Sequence, residues 1–526
     1  MSPLPPSEEE RRGYFYGLPS SPLLVARSST TAWSCDSYSG FPEEKKLEVA
    51  TGHAIQQPWN EPNSPLQLGI MEALGDLHWI AIDILRVQYN SHVKLAGEKP
   101  ASPVTMLISV AENSTTFNRG YKAVCSCKSI LEDMGLGDVE VEMKEGKPVR
   151  SISTPLSPPE GSKGKQPLPL DDERLLPGPL AGAADYKYRF HFTEYIGTNI
   201  AALDSRIKEG TKGLYLRDTQ DTTTTYALTC RHVVYKSEQL LDNSQVRQES
   251  LEITQPGQIT FDEMQHSFRT EYEDLSTVVN TDCKRDLQNT FGEQQQKVNI
   301  RTLSKLQGYR PLFEDHPPDR KSTAFGYVEF SPPIRVSEGR LMDWALIKLL
   351  KDKHTTEPSQ LENKLPATGL FREMLTSKGV HDTIGFQLKP EVTIGPDIMS
   401  LGDLEAETQA EGSSRGLIAM MHGGKSGFSI GCINGIRSVV REPIGGVLFE
   451  SQEWCIVGLD GSAFSECGDS GSVIFDIHGR VMLLLTGGVR RDDPRNTMGF
   501  DTAYGTPVES VLKDIRSYGY KLDLAR

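Results

Sequence analysis

Several common protein classes are excluded by what this chain lacks. Nothing in its 526 residues approaches the roughly 20 consecutive apolar positions needed to cross a bilayer; stretches such as Val481-Met-Leu-Leu-Leu485 are strand-length. The first residues, Met1-Ser-Pro-Leu-Pro-Pro-Ser-Glu-Glu-Glu10, lack the basic start and apolar stretch of a signal peptide. There is no CxxC pair and no HExxH signature, so no metal is expected, and nothing calls for a cofactor. The eight cysteines show no framework spacing and read as reduced thiols of an intracellular protein, cytoplasmic or nuclear. With 56 Lys and Arg against 71 Asp and Glu, the net charge is −15, and no basic stripe interrupts the acidity. That balance argues against nucleic acid and anionic membranes as partners.

The hydrophobic content of 37% is low, which fits folded units mixed with polar connections. At this length two or three units are expected. Residues 1–60 are rich in Ser, Pro, Gly and charge without sustained periodicity, and read as a mostly disordered tail, with Leu23-Leu-Val-Ala26 as a short docked strand. Residues 61–150 read as a small α/β unit. Strands are expected at Trp79–Val87 and Val104–Val110, a helix over 118–134 ended by Gly135, and a strictly alternating strand at Asp138–Met143. Strand–helix–strand order predicts a parallel pairing. Cys125 and Cys127 point in different directions on that helix, so a helix face is expected there and not a metal site. Seven prolines between 155 and 179 mark 151–185 as an extended, protease-accessible linker.

Residues 186–526 carry many short strands and turns, which predicts a mainly β unit of barrel type. A helical insertion is expected at about 260–306, with Phe261, Met264, Phe268, Tyr272, Leu275 and Val279 on one face, continued by Cys283, Leu287 and Phe291. A helix over Pro507–Arg516 closes the chain.

The richest stretch for chemistry is Glu466-Cys-Gly-Asp-Ser-Gly-Ser-Val-Ile474. Gly468-Asp469-Ser470-Gly471 sets a serine on a turn that side chains do not crowd. A serine hydroxyl needs a base, and the base needs an orienting group, before it attacks. Two further blocks supply those residue types: Leu228-Thr-Cys-Arg-His232-Val-Val and Asp343-Trp-Ala-Leu-Ile.

The order His, Asp, Ser in these settings resembles the chymotrypsin-like serine peptidases. It is closest in motif setting to their intracellular Do-like (high-temperature-requirement) branch, with Asp476-Ile-His-Gly479 also in place. The likeness covers roughly 190–520. It implies a two-lobed double β-barrel with His232 as general base, Asp343 as its orienting carboxylate and Ser470 as nucleophile. It also implies an oxyanion hole from the backbone N–H groups of Gly468 and Ser470, and a substrate strand at Thr486, Gly487 and Gly488. Phe464 takes the place of the acidic pocket base of trypsins, which implies no preference for Lys or Arg at the cleaved bond. Gly471-Ser472-Val473 replaces the family's usual Gly-Gly-Pro, Cys467 is offset from the bridged cysteine of secreted trypsins, and no PDZ module is expected. The implied function is a serine endopeptidase acting on protein or peptide substrates. The α/β unit is then expected to be autoinhibitory, released by cutting at 151–185.

Two other classes compete. One is a catalytically retired protease-fold scaffold or protein-binding module. The other is a nucleotide site at Ala419-Met-Met-His-Gly-Gly-Lys425-Ser426, which fits a relaxed phosphate-loop pattern but is followed by a β-like segment and not by a helix.

Overall fold

The computed structural model describes residues 5–33, 35, 40–89, 102–150, 174–175, 180, 183–205, 207–246, 248–282, 290–315, 323–367, 373, 375–377, 391–395, 397–409, 416–492 and 499–526. Most of the expected 151–185 linker, together with Cys283 and Leu287, lies outside them.

The α/β region forms as its pattern predicts. Val104–Ala111 and Glu140–Val149 pair in parallel, joined by the helix Phe117–Asp133. That helix buries Val124, Cys127 and Leu131, and Gly135 follows it at φ +74, a left-handed position that suits a residue without Cβ.

The N-terminal 60 residues depart from the expected disorder. Their described part includes a helix at Glu8–Gly13 and strands at Leu24–Arg27 and Lys45–Val49. Phe15 and Leu18 are buried in a cluster with Leu107, Cys455 and Tyr504. The segment has too few apolar residues to fold by itself, and its core partners come from distant parts of the chain. Local composition therefore reads as tail.

The chain is mainly β, with one twelve-stranded and one eight-stranded sheet. The α/β strands belong to the larger sheet. Trp79–Tyr89 pairs with Ser438–Ile444, and Glu140–Val149 pairs with Val481–Arg490. Side chains reinforce this junction. Lys144 Nζ meets Asp501 at 3.0 Å with both groups fully buried, and the Ser20 N–H and hydroxyl each donate to Asp501 at 2.8 Å.

The eight-stranded sheet runs in space through Leu522–Leu524, Leu214–Asp218, Thr225–Thr229, Ala345–Leu349, Ala324–Phe330, Gln248–Thr254, Asn199–Ala202 and Gly210–Thr211. The insertion is two helices, Gln258–Asp282 and Thr290–Gln307. Phe268 and Leu306 pack with Phe313 and Tyr188, so the apolar stripe serves its own cluster. The closing helix, Val508–Ser517, buries Val508, Val511, Leu512 and Ile515. Among the described residues, no helix is long and apolar enough to cross a membrane.

Candidate active site

His232 lies in a single helical turn, Arg231–Val234, directly after the strand Thr225–Thr229. Arg231 fixes that turn. Its guanidinium is buried and donates to the carbonyls of Leu240 at 3.0 Å and Gln239 at 2.8 Å. Asp343 sits at the entrance to the neighbouring strand Ala345–Leu349, which pairs with Thr225–Thr229. Sheet register therefore delivers the carboxylate to the imidazole. His232 Nδ1 donates to Asp343 Oδ2 at 2.5 Å, and the His232 backbone N–H donates to Oδ1 at 3.1 Å.

This geometry fixes the tautomer. With Nδ1 committed as donor, the neutral ring carries its lone pair on Nε2, which has no partner among the described residues. Burial pushes the imidazole pKa down, and the Asp343 carboxylate offsets that only in part, so the ring is a neutral base at neutral pH. Burial alone would raise Asp343; its interactions with His232, hydrogen bonds included, and the Arg150 charge outweigh it and hold the carboxyl well below its ordinary range.

Ser470 lies between Gly468 at φ +107 and Gly471 at φ +92, a turn that side chains at those two positions would strain. The histidine turn and the serine turn share an anchor: the Cys230 thiol and the Gly471 N–H both donate to the Leu485 carbonyl, at 3.3 and 2.9 Å. The Ser470 hydroxyl itself donates to the Thr486 carbonyl at 3.1 Å. Among the described residues, the N–H groups of Gly468 and Ser470 have no acceptor, as an oxyanion hole requires. His232 and Ser470 are fully buried and Asp343 nearly so.

Cys230, His232 and Asp343 also bring three candidate ligand atoms within 4.8 Å of one another. That set suits a cation poorly. Burial drives the Cys230 thiol well above its usual pKa, and the Arg150 guanidinium already puts positive charge on Asp343.

No protein-family model matches the chain, and no curated protein matches it.

The other residues singled out in sequence are divided. Thr486, Gly487 and Gly488 lie on the strand Val481–Arg490 beside the serine. Phe464 instead packs in a closed apolar cluster with Met421, Trp454 and Ile456, and does not line the cavity beside Thr486–Gly488. The phosphate-loop lookalike has a different task. Its loop joins two antiparallel strands, and the Lys425 and Ser426 N–H groups donate to Asp469 Oδ1 at 3.0 and 3.1 Å. The anion it cradles is the carboxylate next to Ser470.

Two contributors were missed. Asp469, which also accepts the Glu466 N–H at 2.8 Å, pins the Ser470 turn; its place inside the Gly-Asp-Ser-Gly block was the available signal. Arg150, the last residue before the expected linker, places NH1 2.7 Å from Asp343 Oδ2 and Nε 2.9 Å from Glu442. Nothing local in sequence points to it.

Proposed function

We propose that the protein is a serine endopeptidase, built on a chymotrypsin-like two-lobed β architecture, that hydrolyses peptide bonds through an acyl-enzyme on Ser470. The observation that carries this is the buried His232–Asp343 pair with an unpartnered Nε2, on a turn that shares the Leu485 carbonyl with the glycine-flanked Ser470 turn; at rest Ser470 bonds Thr486 and not His232. In the reaction the Ser470 hydroxyl leaves the Thr486 carbonyl, passes its proton to His232 Nε2 and attacks the substrate carbonyl. Asp343 stabilises the imidazolium so formed. The Gly468 and Ser470 N–H groups receive the developing oxyanion, where each such donor is worth roughly 3–4 kcal/mol. His232 then protonates the departing amine, and water releases the acyl group by the reverse sequence. The free thiols of the described cysteines support a reducing, intracellular setting.

A retired protease-fold scaffold is the second reading. It is favoured by the resting Ser470 hydroxyl, which engages Thr486, and by the burial of all three side chains. A fluorophosphonate probe separates the two. Labelling that disappears in both Ser470→Ala and His232→Ala supports the peptidase; absence of labelling both in the wild type and in Arg150→Ala, which frees the Asp343 carboxylate of its second cation, supports the scaffold.

A further inference from the structure

A substrate peptide binds a protease of this kind by adding an extended strand to a free sheet edge, where main-chain hydrogen bonds hold it beside the nucleophile. Here the edge next to Ser470 is already taken. The end of the strand Glu140–Val149 runs antiparallel to Val481–Arg490, with Val149 opposite Gly488, Pro148 opposite Val489 and Lys147 opposite Arg490. The approach is close. A Cβ on Gly487 would lie 2.7 Å from the Val149 carbonyl oxygen and 3.4 Å from Arg150 Cα. Between this strand end, Glu442 and Glu453 only about 20 Å³ remains open, room for about one water.

The segment ends on a charge. The Arg150 side chain is only 10% exposed, and it shares Asp343 Oδ2 with His232 Nδ1. One carboxylate oxygen thus serves both the base and a fixed cation. That cation opposes the imidazolium which the first chemical step must create.

Resting on the peptidase function proposed above, we propose that Lys147–Arg150 is a built-in occupant of the peptide-binding edge. It holds the enzyme inactive by filling the substrate strand position and by engaging the triad carboxylate through Arg150, with Glu442 as the latch. Cutting the 151–185 linker does not by itself lift this block. The strand belongs to a region tied into the larger sheet by the Trp79–Tyr89 pairing and by the buried Lys144–Asp501 bridge. Activation requires displacing the four-residue strand end from Gly487–Arg490, as an extended peptide competing for the same edge would do.

The test compares wild type, Arg150→Ala and Glu442→Gln by the rate of fluorophosphonate labelling of Ser470 as a function of pH. Arg150→Ala should label at least tenfold faster. Its half-maximal pH should move upward, because the charged groups facing His232 are Asp343, Glu442 and Arg150, and only the cation has been removed. Glu442→Gln, nearly isosteric, should label several-fold faster and speed amide hydrogen exchange at 147–150 without change in the helix Phe117–Asp133. Equal, measurable rates in all three proteins with unchanged exchange at 147–150 would refute the latch and leave the peptidase standing. Silence in all three at every pH would refute the peptidase, and with it any inhibitory role for Arg150.

Discussion

Replacing Asp343 by asparagine separates the chemistry of the site from its shape. The carboxylate makes three contacts: His232 Nδ1 at 2.5 Å, the His232 backbone N–H at 3.1 Å and Arg150 NH1 at 2.7 Å. An asparagine keeps one acceptor oxygen, which the backbone N–H and one other donor can use. Its amide N–H₂ then faces the imidazole and favours the tautomer with the proton on Nε2. That ring cannot accept the Ser470 proton, and the comparable exchange in a triad costs about 10⁴ in rate. The variant also loosens Arg150, which acts in the opposite direction, but a freed edge is of no use without a base. Stability falls as well, because a largely enclosed guanidinium loses one of its two charged partners while keeping Glu442. That costs about 2–3 kcal/mol.

The pH dependence follows from the depressed Asp343 pKa. A carboxyl held below its unfolded value of about 3.9 contributes stability above that pH, and the contribution is lost as pH falls through the folded value. The stability gap between wild type and Asp343→Asn should therefore narrow in acid. The assays are urea unfolding at several pH values and the fluorophosphonate rate constant at neutral pH. Labelling within tenfold of wild type would refute the role given to this carboxylate, and a gap that widens in acid would refute the electrostatics.

Two further substitutions probe the surroundings. Asp469→Ala leaves three backbone donors, at Glu466, Lys425 and Ser426, without their acceptor. Urea unfolding should show a loss of about 3 kcal/mol or more, with labelling slowed about 10²-fold as the oxyanion donors lose their alignment. Lys144→Met leaves Asp501 buried with only the Ser20 donors. It should cost about 3 kcal/mol and raise hydrogen exchange in Glu140–Val149, which the same unfolding and exchange measurements check.

The local settings of His232, Asp343 and Ser470 could be read from sequence because each is written in a few adjacent residues. A strand running into Cys230-Arg-His232, an aspartate opening Ala345–Leu349 and a serine between Gly468 and Gly471 each keep their setting in the structure. Arg150 was illegible for the opposite reason. It follows a strand and precedes a proline-rich stretch, and its partners Asp343 and Glu442 lie 193 and 292 residues away. The N-terminal 60 residues misled in the same way, since Phe15 finds its burial against residues such as Tyr504. Phe464 misled by position. Counting back from Ser470 put it at a pocket floor, whereas apolar side chains on the strands around it enclose it in core. The phosphate-loop likeness arose because backbone N–H groups collect any carboxylate or phosphate oxygen, and here Asp469 provides one from within the chain.

The bonds from Ser20 to Asp501 span 481 residues. At ribosomal speeds of roughly 5–20 residues per second, the second partner is synthesised some half a minute to a minute and a half after the first. Throughout that interval Phe15, Leu18 and Leu24 have no finished surface to settle on. Newly made molecules should therefore depend on holding chaperones more than their final stability would suggest, and truncation near the C-terminus should unsettle the opposite end of the polypeptide first.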